Sequence, residues 1–233
     1  MKRSRKSQPH QLRSNTAGNG DDFADHFVPP KSKDKAVAII QARLGSSRLP
    51  RKILLDIAGQ SMLERVVSRV QQAKQIDQVV IATTTEQTDD PLVEYCQDRN
   101  WDYYRGSEQD VLSRYLETAR HFSATRIVRI TSDCPLIDPE LIDQLVQLSS
   151  SDNDSELDYS CNFYPDRHYP RGLDCEYISA QALERIDPLA TSPEHREHVT
   201  LYAYRHPEQF TICLLYTSPS PRDQRGSRMP SSA

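Results

Sequence analysis

Four cationic side chains, Arg43, Arg48, Arg51 and Lys52, crowd around the turn Gly45-Ser46-Ser47. A Gly/Ser turn can aim successive backbone N–H groups at one anion, and Arg and Lys supply the charge that a polyphosphate requires. The stretch therefore reads as a loop that cradles a triphosphate. It lacks the GxxxxGK(S/T) spacing of a Walker loop, and no GxGxxG follows. An exposed basic loop would have the same composition, so spacing alone leaves both readings open. Further along, Asp133 stands between an apolar run and a turn at Pro135. Mg²⁺ typically takes one or two carboxylates plus phosphate oxygens, which suits an Asp so placed. Capping of that turn is its other reading.

Strands and helices must bring these groups together. Residues 36–40 are apolar and rich in β-branched types, as in a strand buried on both faces. Gly45 permits the turn that follows, and Pro50 biases Leu49 away from helix. Ser61 and Glu64 have capping-box spacing, and Met62, Leu63, Val66, Val67 and Val70 recur at helical intervals. Residues 78–82 predict a second strand, followed by Thr83, Thr84 and Thr85. Asp90 before Pro91 predicts the N-cap of a helix running through Tyr95. A third strand is expected at 101–104 and a fourth at 126–130. Between them Ser107 and Asp110 frame a helix with Val111, Leu112, Tyr115, Leu116 and Ala119 on its inner face, and Asp138-Pro139 opens another.

Such alternation implies βαβ units, right-handed crossovers and a mostly parallel sheet. Ligands of open α/β sheets gather at the carboxyl ends of the strands. Arg43, Thr83, Arg105 and Asp133 each follow an expected strand and should converge there. After Leu157 the alternation fades: strands at 157–161 and 175–179 flank a Tyr/Pro/Arg-rich loop at 163–171, a helix is expected at 193–206, and a last strand begins at 210–215.

The segment QARLGSSRLPRKIL is similar to the QAR-x-GS-x-R-x-P-x-K-x-L signature of cytidylyltransferases that activate sugars for surface polysaccharide. It resembles most the spore coat polysaccharide type, whose relatives act on acylneuraminate and 3-deoxy-manno-octulosonate. The likeness continues through Arg105-Gly106-Ser107, the stretch from Ser132 to Asp138, Gly172-Leu173-Asp174 and the stretch from Arg196 to Thr200, and so covers residues 36–213. It implies an α/β Rossmann-like nucleotidyltransferase fold with helices on both faces of the sheet. It also implies transfer of CMP from CTP to a sugar, with Mg²⁺ and release of pyrophosphate.

By this resemblance Arg43 and Lys52 hold the triphosphate and, with Asp133 as metal ligand, form the catalytic set. Ala42, Gly45, Ser46, Ser47 and Arg48 belong to the nucleotide loop, with Thr83, Arg105 and Ser107 nearby. Ser107 has helix capping as its other duty, and Arg51 reads as exposed. Arg171, Asp174, Glu176, Arg196 and His198 fall where related enzymes meet the sugar; His198 reads equally as a base or a structural histidine. His195 and His198 lack a zinc pattern. The chain departs from its relatives in one respect: their second metal-binding Asp, near the C-terminus, has no counterpart in a matching motif, and Asp223 does not inherit the role. Use of another NTP, or nucleotide binding without turnover, remains open at this point.

Hydrophobic content of 36% and a mean hydropathy of −0.70 are low for one compact domain, and the deficit lies at the two ends. Residues 1–35 are expected to be a disordered leader, 36–215 the nucleotidyltransferase domain, and 216–233 a tail. The tail, Ser/Pro/Arg-rich, resembles translated adapter sequence and interrupts what reads as the last strand, so the fold is expected to be truncated at its C-terminus; a native disordered tail is the alternative. Net charge of −4 gives no basic field for nucleic acid. No apolar run approaches the roughly 18 residues of a membrane span, and no apolar segment follows the basic N-terminus to make a secretory signal. Cys96, Cys134, Cys161, Cys175 and Cys213 are odd in number and form no CxxC, which fits a reduced, cytoplasmic setting. The expected partners are CTP and a small sugar, with a homodimer implied by the relatives.

Overall fold

A computed structural model describes residues 34–46, 49–149 and 157–216. The chain enters strand β1 (Ala36–Gln41), makes one turn of 3-10 helix (Lys52–Leu54) and a small hairpin of β2 (Asp56–Ile57) and β3 (Gln60–Ser61), and continues into helix α1 (Met62–Val70). Then follow β4 (Gln78–Thr84), α2 (Asp90–Asp98), β5 (Asp102–Gly106), α3 (Val111–His121), β6 (Arg126–Thr131) and α4 (Pro139–Leu148). The last third adds β7 (Tyr159–Cys161), β8 (Glu176–Ser179), α5 (Ala180–Ile186), α6 (Pro193–Glu197), α7 (Leu201–Arg205) and β9 (Ile212–Leu214). Sheet order is β5-β4-β1-β6-β8-β7-β9. The β5-β4-β1-β6 part is parallel; β8 runs antiparallel to both β6 and β7. The expected mostly parallel α/β sheet with helices on both faces is what forms.

Side chains alternate across a strand, and β1 explains why its apolar run is continuous. Ala36, Ala38 and Ile40 enter one core with Leu63, Val66, Leu92 and Ile142 of α1, α2 and α4. Val37 and Ile39 enter the other with Leu112, Tyr115 and Leu183 of α3 and α5. All five β1 side chains are fully buried, each larger one contributing about 1.5–3 kcal/mol. At α1 the capping box forms as expected: the Glu64 N–H donates to Ser61 Oγ at 3.1 Å and the Ser61 N–H to Glu64 Oε2 at 2.7 Å. Asp138 caps α4, accepting from the Glu140 N–H at 3.0 Å, ahead of Pro139 at the first helical position.

Several boundaries differ from the sequence reading. Thr83 pairs with Arg105 and Thr84 with Gly106, so β4 and β5 run two residues past their apolar cores, and Thr83 and Arg105 lie within strands instead of after them. The cap position of α2 is Asp89, not Asp90; it makes no side-chain capping bond because its carboxylate is engaged elsewhere, and the helix reaches Asp98. The hairpin, which turns through Ala58 and Gly59 at positive φ, and α5 carry no strong periodic signal and were not expected. The helix expected at 193–206 is two short ones, broken where His198 leaves helical geometry and Val199 and Thr200 turn inward. Asp34 and Lys35, assigned above to the leader, are tied to the domain: the Lys35 N–H donates to Thr125 Oγ1 at 2.8 Å. The rest of the leader and the tail beyond Tyr216 lie outside the described residues.

Candidate active site

Beyond the carboxyl end of β1 the chain turns sharply, and Asp89 fixes that turn. Its buried carboxylate accepts the Leu44 N–H at 2.7 Å and the hydroxyls of Thr83 and Thr84. The Ser46 and Arg51 N–H groups both donate to Leu44 O, at 2.9 and 3.2 Å, closing the loop on itself. Residues 47 and 48, which include the expected contacts Ser47 and Arg48, lie outside the described part. From this frame Arg43, Gly45, Ser46 and Lys52 reach a cleft of about 510 Å³, whose far wall carries Asp133 beyond β6 and Glu108 beyond β5. Ala42, by contrast, is buried, with its N–H donating to Ala82 O at 3.1 Å.

Two ion pairs span the cleft. Lys52 Nζ donates to Asp133 Oδ2 at 2.7 Å, and Arg43 Nη1 to Glu108 Oε1 at 3.1 Å. Burial would raise the Asp133 pKa, but hydrogen bonds from Lys52 and Thr131 outweigh it and hold the carboxyl below its usual value. Asp133 is therefore an anion in the working pH range. Arg43 and Lys52 of one loop thus line the same cleft as Asp133, which is 81 residues beyond Lys52 in sequence.

Other expected contacts take different places. Thr83 is fully buried and spends its hydroxyl on Asp89, so it presents nothing to the cleft. Arg105 braces the β4–α2 connection, donating to Thr84 O at 2.9 Å and Glu86 O at 3.0 Å and pairing with Asp90 at 2.8 Å. Ser107 holds the turn into α3, accepting the Asp110 N–H at 3.0 Å. Gly106 is needed there: a Cβ would lie 2.8 Å from Arg114 Cγ.

The residues expected around the sugar do not collect in one cleft. Glu176 is buried, bonded to Arg129, to Tyr159 Oη at 2.7 Å and to Thr200 Oγ1 at 2.6 Å. Both its oxygens are taken up by these bonds, although it also lines a small cleft. Asp174 is held by Arg167 and shares that small cleft with Glu176, Arg129 and Thr131. Arg196 bridges Asp110 and Asp187 and lines a second cleft of about 480 Å³. Arg171 and His198 are exposed.

The family model for cytidylyltransferases matches residues 37–230. The chain belongs to the cytidylyltransferase family. It is 36% identical over 182 residues to the spore coat polysaccharide biosynthesis protein SpsF of Bacillus subtilis, covering 76% of this chain and 73% of that one. An uncharacterized protein of Methanocaldococcus jannaschii is 37% identical over 181 residues, covering 78% and 72%. Among solved structures, a cytidylyltransferase from Leptospira borgpetersenii matches with a TM-score of 0.75 at 33% identity, over 80% of this chain and 77% of that one. A CMP:2-keto-3-deoxy-manno-octonic acid synthetase solved with CTP matches at a TM-score of 0.60 and 21% identity, a likeness of fold alone.

In this cytidylyltransferase no group of three or more His, Cys, Asp or Glu side chains suited to a metal occurs among the described residues. Asp133, anionic and with its side chain 47% exposed, fits instead a hard cation that takes one carboxylate and completes its shell from phosphate oxygens and water. Sequence reasoning missed Asp89 and Glu108. The Asp89-Asp90 doublet after three threonines, and an acid directly after Arg105-Gly106-Ser107, were the signals available.

Proposed function

We propose that this cytidylyltransferase transfers CMP from CTP to a sugar hydroxyl in nucleotide-sugar synthesis for surface polysaccharide. The observation that carries the reading is the meeting of Arg43, Lys52 and Asp133 around one cleft at the strand ends, with Gly45 and Ser46 beside them. The acceptor oxygen bonds to the α-phosphorus as the bond from that phosphorus to pyrophosphate breaks, and the acceptor's proton leaves to a base or to water. Charge builds on the leaving pyrophosphate, so fixed cations aimed at it lower the barrier. Arg43 and Lys52 fill that role, and the loop N–H groups with Ser47 and Arg48 orient the chain of phosphates. Asp133 would hold Mg²⁺ together with phosphate oxygens, and the bound ion would supply further neutralisation of the leaving charge. On the acceptor side, Arg171, Asp174, Arg196 and His198 stand as proposed sugar contacts. The enzyme is read as cytoplasmic and homodimeric, acting on small substrates without nucleic acid or membrane.

Calorimetry with CTP, with and without Mg²⁺, followed by pyrophosphate release from CTP, UTP, GTP and ATP across a panel of sugars, tests this. Mg²⁺-dependent, CTP-selective binding and acceptor-dependent release are expected. Equal release from another nucleotide would overturn the cytidylyl reading. Binding of CTP with no release on any acceptor would leave a nucleotide-binding module.

A further inference from the structure

Among the described residues, both cations set against the triphosphate are already held by a carboxylate: Lys52 by Asp133 and Arg43 by Glu108. The two carboxylates differ in what awaits them when a nucleotide arrives. Asp133 can turn to a bound cation. Glu108 has no such partner, and a carboxylate facing a polyphosphate opposes it. Yet the turn that carries it is tied by the Asp110 N–H to Ser107 Oγ and by Arg114 Nη1 to Ser107 O at 2.7 Å, and Arg114 packs so close to Gly106 that a Cβ there would clash. The Arg43–Glu108 pair also stands where two clefts meet, since both the 510 Å³ and the 480 Å³ cleft are walled by Gln41, Arg43 and Glu108. The pair itself rests on one hydrogen bond, with side chains 48% and 40% exposed. Such a pair is easily exchanged, shifting an equilibrium by at most about fivefold.

We propose that Glu108 is a positioning residue that trades Arg43 with pyrophosphate. It gives Arg43 up to the phosphate oxygens as CTP binds and takes it back as pyrophosphate leaves. The proposal rests on the reading of this cleft as the triphosphate site. No covalent bond changes in the exchange; one ion pair replaces another. Glu108 thereby weakens the hold on the product and keeps Arg43 close to its working position in the empty site. Without the carboxylate, Arg43 has no competitor for its charge and stays with pyrophosphate.

The test compares wild type, Glu108→Gln and Glu108→Asp by calorimetry with pyrophosphate and by product inhibition of CTP turnover. Glu108→Gln should bind pyrophosphate about three- to fivefold more tightly at low salt. Its KM for CTP and its kcat should fall together as release becomes slower. The difference should shrink at high ionic strength, where exposed charges are screened, and Glu108→Asp should restore wild-type behaviour at least in part. A purely structural Glu108 would instead give weaker binding and a lower melting temperature. If wild type binds pyrophosphate and turns over CTP while Glu108→Gln binds no tighter, the exchange is wrong and the site stands. If wild type does neither, the reading of the cleft fails and the exchange fails with it.

Discussion

The cleft beyond β1 and the cluster around Glu176 hold their polar side chains in opposite ways. At the first, Arg43, Lys52, Glu108 and Asp133 are paired across an open cleft, each 31–48% exposed, and supported by parallel βα units. At the second, Glu176, Tyr159 and Thr200 close around Arg129 of β6 in a network whose carboxylate is 2% exposed. Exposed pairs are weak and exchangeable, whereas a buried pair is costly to break from one side. The cleft beyond β1 is therefore suited to a change of partners, and the β7–β8 side to keeping its shape.

The largest expected effect lies in the closed network. Glu176→Gln leaves the Arg129 guanidinium buried without its counter-charge, so stability should fall by about 3–5 kcal/mol in chemical denaturation. CTP affinity, measured where both proteins are folded, should stay near wild type. A variant of full stability with a raised KM for the sugar would break the comparison and return Glu176 to the acceptor site.

Asp133→Asn should act the other way round. Turnover of CTP should drop on the order of 100-fold or more, because the residue lies against the reacting phosphates in the proposed reaction. Stability should change by less than about 1 kcal/mol, since the Lys52–Asp133 pair is half-exposed. Measured together, kcat and a denaturation midpoint decide it: a large loss of stability with modest loss of rate would make Asp133 a structural residue.

The same contrast explains what could be read in the sequence. The strand–helix alternation, the capping box at Ser61 and the loop from Arg43 to Lys52 are written in short stretches, because local spacing produces them. The place of Asp133 at the strand ends was legible because it follows an apolar strand. The role of Asp89 was hidden: its carboxylate caps nothing in its own helix and instead holds Leu44, 45 residues away in sequence. The partners of Glu176 were hidden for a related reason. Its neighbours Gly172 to Asp174 resemble an acceptor motif, but its partners Arg129 and Thr200 come from β6 and from beyond α6, and no local pattern announces them. The splitting of the 193–206 helix has the same origin, since Thr200 turns inward to reach Glu176.

What is most legible is also expected to matter least energetically, and Glu64 tests this. The Ser61 N–H, the largest influence, together with Arg99, lowers its pKa from 4.5 to about 2, against the opposing effect of burial. A carboxyl with a depressed folded pKa stabilises the fold fully above its unfolded value and loses that contribution as pH falls through its folded value. The window here runs from about pH 4.5 down to about pH 2. Glu64→Gln can keep the capping hydrogen bond but not the charge, so it should cost about 0.5–1 kcal/mol at pH 7. Denaturation midpoints of variant and wild type should draw together as the pH is lowered from about 5 to about 3. A gap that stays constant over that range would mean that the box stabilises α1 by geometry alone, with no contribution from the carboxylate's charge.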